Sequence, residues 1–166
     1  MVDLDSFDES TIQWEQLPDI DHVWLSILGV DDAAKIIDVL FKFSANEQIV
    51  LHRHVAAFNT FVVRGEHRIY NPDGELTEVR PVGTYKAGLP NIEPHREGGG
   101  DEDVIILFSL RPYDNGPIYE VLDEDHEILS TITFDDFIFC NYQYIREQSI
   151  KIIFLIKYFY YTCKLT

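Results

Sequence analysis

His52 and His54 stand two residues apart at the end of a β-type run, Ile49 to His54, and a third histidine, His95, follows after a long gap. Alternate residues of a strand point to one face, so His52 and His54 emerge side by side. A third imidazole folding back onto such a pair makes a site suited to a divalent transition metal. No other group of residues in the chain offers comparable chemistry. A Gly-x-Ser-x-Gly nucleophile turn, a dinucleotide fingerprint and a Walker loop are all absent. Gly98-Gly99-Gly100 runs straight into Asp101-Glu102-Asp103. That is too anionic for a phosphate cradle and reads as a flexible hairpin tip or a loop at a barrel mouth.

The elements that must carry these histidines are β-strands. Val23 to Leu28 is a short apolar run, and Ile37, Val39, Phe41 and Phe43 share one face of the next. Ile49 to His54 and Thr60 to Tyr70 follow, then a turn at Asn71-Pro72-Asp73-Gly74 and a returning strand over Glu75 to Arg80. Gly83 to Ala87, Val104 to Leu110, Ile118 to Leu122 and Ile128 to Thr133 complete the set. Many short strands, regular turns and no sustained helical period predict an all-β sandwich or barrel.

With 166 residues and 46% hydrophobic content, the chain suits one globular domain with a real core. Its formal charge of −16 argues against nucleic acid and anionic membrane surfaces as partners. The acidic start, Met1 to Ser10, has no signal-peptide pattern, and two cysteines make no disulfide framework, so a cytoplasmic protein is expected. The expected organisation is an N-terminal segment over 1–19, a β-domain over 20–135 and a C-terminal extension over 136–166. Within that extension, residues 138–166 carry Arg146, Lys151, Lys157 and Lys164 against Glu147 alone, and their Ile/Phe/Tyr/Lys composition is foreign to the rest. A docked helix, an interfacial membrane segment and an accidental extension are the three readings; the first and last are favoured, because Ile152 to Leu165 is too short to span and Lys157 interrupts it.

The stretch His52-Arg53-His54 … Gly65 resembles the first signature of the cupin superfamily, and Gly83 … Pro90 … His95 resembles the second, with one extra residue between the Gly and the His. The resemblance implies a cupin double-stranded β-helix, a jelly-roll barrel of two antiparallel sheets, with a metal held inside by His52, His54 and His95. The carboxylate expected four residues after His54 is Phe58 here, with Asn59 next. The three-histidine pattern is similar to that of cupins that cleave β-diketones or hydroxylated acetophenones as metal-dependent dioxygenases. It also resembles the cupin domain of zinc-binding anti-sigma factors. A homodimer is expected from the resemblance.

Three neutral imidazoles leave the +2 charge of a metal uncompensated, which favours an anionic, bidentate oxygen ligand such as an enolate. Iron(II) suits that chemistry and is the favoured cofactor; zinc(II), bound tetrahedrally with one water, is the alternative. Each residue has a plainer explanation. His52 and His54 could be polar residues at an open strand end, and His95 an exposed loop residue. His67 shares strand parity with the apolar Phe61, Val63 and Ile69, and reads as a core histidine or a group behind the metal ligands. Phe58 is pocket wall or core filling. Glu93, two residues before His95, is a candidate for the missing carboxylate, although a loop glutamate is more often solvated. His22 and His126 lie in acidic surroundings and read as surface. By strand parity Arg53 points outward. The functional expectation is a non-haem dioxygenase acting on a small molecule, with a non-catalytic metal-binding sensor as the alternative.

Overall fold

The computed structural model describes residues 7–17 and 20–141. Among these are twelve strands: β1 (Glu15–Gln16), β2 (Val23–Asp31), β3 (Ile36–Phe43), β4 (His52–His54), β5 (Ala57–Arg64), β6 (Glu66–Tyr70), β7 (Leu76–Pro81), β8 (Tyr85–Gly88), β9 (Arg96–Gly99), β10 (Val104–Arg111), β11 (Pro117–Leu122) and β12 (Ile128–Thr133). A helix, α1, covers 134–141. The readings made for the rest of the C-terminal extension lie outside the described residues.

One sheet has the order β1-β2-β3-β10-β5-β8, and two three-stranded sheets have the orders β12-β11-β4 and β7-β6-β9. All pairings are antiparallel. The two smaller sheets are joined by isolated bridges at Gln48↔Gly98 and His52↔His95. Ile49 also donates its amide to the Glu97 carbonyl at 2.8 Å. They therefore act as one layer facing the large sheet, the closed jelly-roll arrangement that the alternating sequence predicts.

The apolar alternation of β3 holds in the structure: Ile37, Val39, Phe41 and Phe43 are all buried. They meet Val104, Ile106, Phe108 and Leu110 of β10 and Ile118 and Tyr119 of β11 in a single core. Helix α1 closes this core with Phe134 and Phe137, three residues apart on one helical face. Its start is a reciprocal cap: the Thr133 amide donates to Asp136 Oδ2 at 2.8 Å, and the Asp136 amide donates to Thr133 Oγ1 at 3.3 Å. On the other side, residues 7–17 lie against the large sheet. Glu9 there accepts from Lys42 Nζ at 3.0 Å and from Arg64 Nη1 at 2.8 Å, and Lys42 sits 4.6 Å from the Trp14 ring centre.

Two expectations need correction. The run from Thr60 to Tyr70 is two strands, because Gly65 turns the chain with a φ of +73°. The turn resets side-chain parity. Phe58, Thr60 and Val62 are the buried residues of β5, whereas Phe61 and Val63 are only partly covered. A register shift between Ile69 and Tyr70 then puts His67 and Tyr70, rather than Ile69, in the interior.

The second correction concerns residues 96–100. The glycines are no flexible tip: Gly98 and Gly99 belong to β9, and all three glycines are buried. A Cβ on Gly98 would lie 2.1 Å from the Glu47 carbonyl oxygen, and one on Gly99 would lie 2.7 Å from that of Ser44. Backbone approaches this close to the 44–48 segment only where side chains are missing. Gly98→Ala is therefore expected to lower stability by about 1–3 kcal/mol through forced separation of the two segments. Gly29→Ala, with nothing within 4 Å of the new Cβ, is expected to stay within about 0.5 kcal/mol of the parent. Urea unfolding of both proteins checks this; equal effects would remove the packing explanation.

Candidate metal centre

Strand alternation places the first pair. His52 and His54 of β4 turn inward, and Arg53 between them turns outward to an ion pair with Glu120 of β11. The second pair comes from the neighbouring strand. The His52 amide donates to the His95 carbonyl at 3.1 Å, and the His95 amide donates back to the His52 carbonyl at 3.0 Å. His95 thus lies directly opposite His52, and Glu97, two residues on, faces the same interior. His52, His54, His95 and Glu97 each bring one ligand atom into a group whose members all lie within 4.8 Å of one another.

The details suit a cation. His52 Nδ1 donates to the Val50 carbonyl at 3.0 Å, and His95 Nδ1 donates to the Glu93 carbonyl at 3.0 Å. Each bond fixes the proton on Nδ1 and leaves a bare Nε2 lone pair facing the centre. His52 Nε2 and His54 Nε2 are 3.2 Å apart. Glu97 Oε2 lies 3.3 Å from His52 Nε2 and 3.8 Å from His54 Nε2, and Oε1 lies 3.9 Å from His95 Nε2. Converging lone pairs and a buried carboxylate are mutually unfavourable unless a positive charge lies among them. Three imidazole nitrogens and one carboxylate oxygen are an ordinary donor set for iron(II), zinc(II) and related dications. The residues present fit a divalent metal.

Burial and charge set the protonation states. Loss of solvent pushes His54 down to about 3, with the histidines around it adding to the shift against the pull of Glu97. Burial also lowers His95. Burial alone would raise Glu97, but close contact with the imidazoles of His67, His52 and His54 outweighs it and holds the carboxyl well below its ordinary value. Tyr119 moves the other way: burial, reinforced by Glu97, holds its phenol well above 10.

The remaining sequence candidates separate clearly. His67 is fully buried behind the centre, with Nε2 3.0 Å from Glu97 Oε1 but off the line of a hydrogen bond. Phe58 is in the interior, its ring centre 4.2 Å from that of His54. Asn59 points the other way, by parity, and lines a groove of about 430 Å³ on the outer face of the large sheet, so it is no part of this site. The Glu93 side chain is exposed, and its contribution is the backbone carbonyl that orients His95. His126 is exposed, and His22 is partly exposed beside Glu47.

Sequence reasoning missed Glu97 and Tyr119. Residues 93–100 read as a loop, which hid the signal: His95-Arg96-Glu97 repeats the spacing of His52-Arg53-His54. The expectation of a centre without an acid is corrected by the position of Glu97. Tyr119 pairs directly with His54 across β11 and β4, with ring centres 4.9 Å apart. Among the described residues its buried hydroxyl has no hydrogen-bond partner, nor has His54 Nδ1. An unpaired buried hydroxyl costs about 1–3 kcal/mol.

No family model and no curated protein matches the sequence. Solved structures do match the fold. An RmlC-like cupin protein from Ralstonia eutropha JMP134 aligns with a TM-score of 0.67 at 16% identity, over 84% of this chain and 85% of that one. An acetylacetone dioxygenase from Acinetobacter johnsonii aligns with a TM-score of 0.59 at 12% identity, over 74% and 80%. A polyketide cyclase from Streptomyces resistomycificus aligns with a TM-score of 0.50 at 20% identity, over 63% and 77%. The chain has the cupin fold. Proteins of this fold carry out different chemistries, so function has to be argued from the centre itself.

A pH dependence follows from these protonation states. The His54 ring titrates near 6.5 when unfolded and near 3 when buried, so between those values the unfolded chain binds the additional proton. Stability therefore falls as pH drops below about 6.5. Glu97, held low in the folded state, adds a loss of the same sign once pH falls below its ordinary 4.5. The urea midpoint of the metal-free protein is expected to decline steadily from pH 7 to pH 4. A flat profile would contradict burial of neutral His54.

Proposed function

We propose that this protein is a divalent-metal cupin oxygenase, with His52, His54, His95 and Glu97 as ligands and a small, oxygen-bearing molecule of the diketone or hydroxyacetophenone type as substrate. The observation that carries the reading is the convergence of two i, i+2 pairs from bridged antiparallel strands on one buried point. Held by these four residues, iron(II) would supply a redox-active Lewis acid. Glu97 offsets part of the dication charge. His67 lies on the far side of that carboxylate and restricts its movement. Phe58 and Phe108 wall the His54 side and keep water away from it. His95 has the most exposed ring of the three, 12% against 6% and 1% for His52 and His54, and marks the side from which a small molecule enters. The acetylacetone dioxygenase of the same fold supports the substrate class by analogy.

The same donor set favours a second reading if the ion is zinc(II). Four protein ligands would match the donor number of structural zinc sites, which suits a structural or sensing centre. Metal identity therefore separates oxygenase from sensor.

The test begins with iron and zinc content of the purified protein and then follows oxygen uptake with iron(II) and a panel of β-diketones and hydroxyacetophenones. Uptake with at least one member is expected. Stoichiometric metal with no uptake for any of them favours the sensor. His52→Ala is expected to lose the bound metal, and Glu97→Gln to weaken it by at least about tenfold. Full metal retention in His52→Ala would refute the centre.

A further inference from the structure

The hydroxyl of Tyr119 has no role in packing. Its ring meets Phe41 edge-on at 6.2 Å and His54 edge-on at 4.9 Å, contacts that a phenylalanine ring would make equally well. Tyr119 is 8% exposed, and its enclosed oxygen has no hydrogen-bond partner among the described residues. Buried polar atoms are nearly always paired, and an exception beside a cluster of metal-ligating side chains points to a ligand. Strand register supplies the direction: Tyr119 stands opposite His54, and cross-strand partners project to the same face. The ring centre of His52 is 6.3 Å away.

We propose that Tyr119 Oη is the hydrogen-bond donor for an acceptor oxygen (carbonyl, enolate or carboxylate) of a small molecule seated at the centre formed by His52, His54, His95 and Glu97. Tyr119 then selects oxygen-bearing ligands over those that bind a metal through nitrogen alone. The inference rests on the metal centre proposed above but needs no oxygen chemistry. A tyrosine hydroxyl carries its proton at neutral pH. It therefore donates, and an acceptor at the site gains the bond that the protein leaves open.

The test uses cobalt(II)-loaded protein, whose visible absorption reports coordination, with acetate as oxygen probe and imidazole as nitrogen probe. Tyr119→Phe is expected to bind cobalt(II) as the parent does, to weaken acetate by about tenfold, and to leave imidazole affinity unchanged. Unchanged acetate affinity overturns the proposal, and so does equal weakening of both probes, which would make the residue a matter of pocket shape. Metal-free Tyr119→Phe is expected to melt at the parent temperature or higher; a clear fall assigns the hydroxyl a structural partner and overturns the proposal. Parent protein that takes cobalt(II) but gives no response to acetate rejects the Tyr119 subsite alone. Failure to take cobalt(II) rejects the centre and the subsite together.

Discussion

The antiparallel bridge between His52 and His95 is the contact on which the centre depends. Two reciprocal backbone hydrogen bonds, at 3.0 and 3.1 Å, fix these residues opposite each other. Because side chains alternate with a period of two, that single register places His54 and Glu97 on the same interior face. A slip of one residue would turn His95 and Glu97 out and bring Arg96 in. Register alone thus decides between a cluster of four ligating side chains and a bare histidine pair.

The bridge forms only because the strand that bears Glu97 is almost bare beyond it. Gly98 and Gly99 let that strand press against the backbone at Glu47 and Ser44, and Gly100 lies against Glu66. The same closeness accounts for a strand with so little hydrophobic character at the middle of a layer. Its backbone bonds to the 44–52 segment on one side and to β6 on the other hold it there. Closing the layer at this point also buries the Glu97 carboxylate among imidazoles, an arrangement that a cation would stabilise.

Phe58 and Glu97 show two sides of one arrangement. Phe58 fills the space against His54 with an aromatic ring, and Gly88 across the sheet is what admits it: a Cβ there would fall 2.1 Å from the ring. An acid at position 58 is therefore replaced by packing, while a carboxylate arrives from the opposite strand. The polar atoms of the centre sit in an otherwise apolar barrel, where both their attraction for a cation and the cost of leaving them unpaired are larger than in water.

Much of the fold was legible in the chain. The alternation Ile37, Val39, Phe41, Phe43, the Asn71-Pro72-Asp73-Gly74 turn and the His52/His54 pair are local patterns, and local sterics settle them. Phe58, as the residue standing where an acid was expected, was legible too. Strand β9 was not, because Gly98 and Gly99, with Gly100 after them, give no hydrophobic period and their burial depends on the distant 44–48 backbone. His67 was assigned the right interior for the wrong reason, since the turn at Gly65 broke the parity used to place it. Tyr119 carried no local sign of its role. By itself the sequence determined an all-β chain with a paired-histidine strand, since period-two alternation is a property of neighbours. Only the tertiary structure decided that His95 meets His52, that Glu97 supplies the acid and that a tyrosine hydroxyl is left open beside them. Register between distant strands is set by closure of the whole barrel.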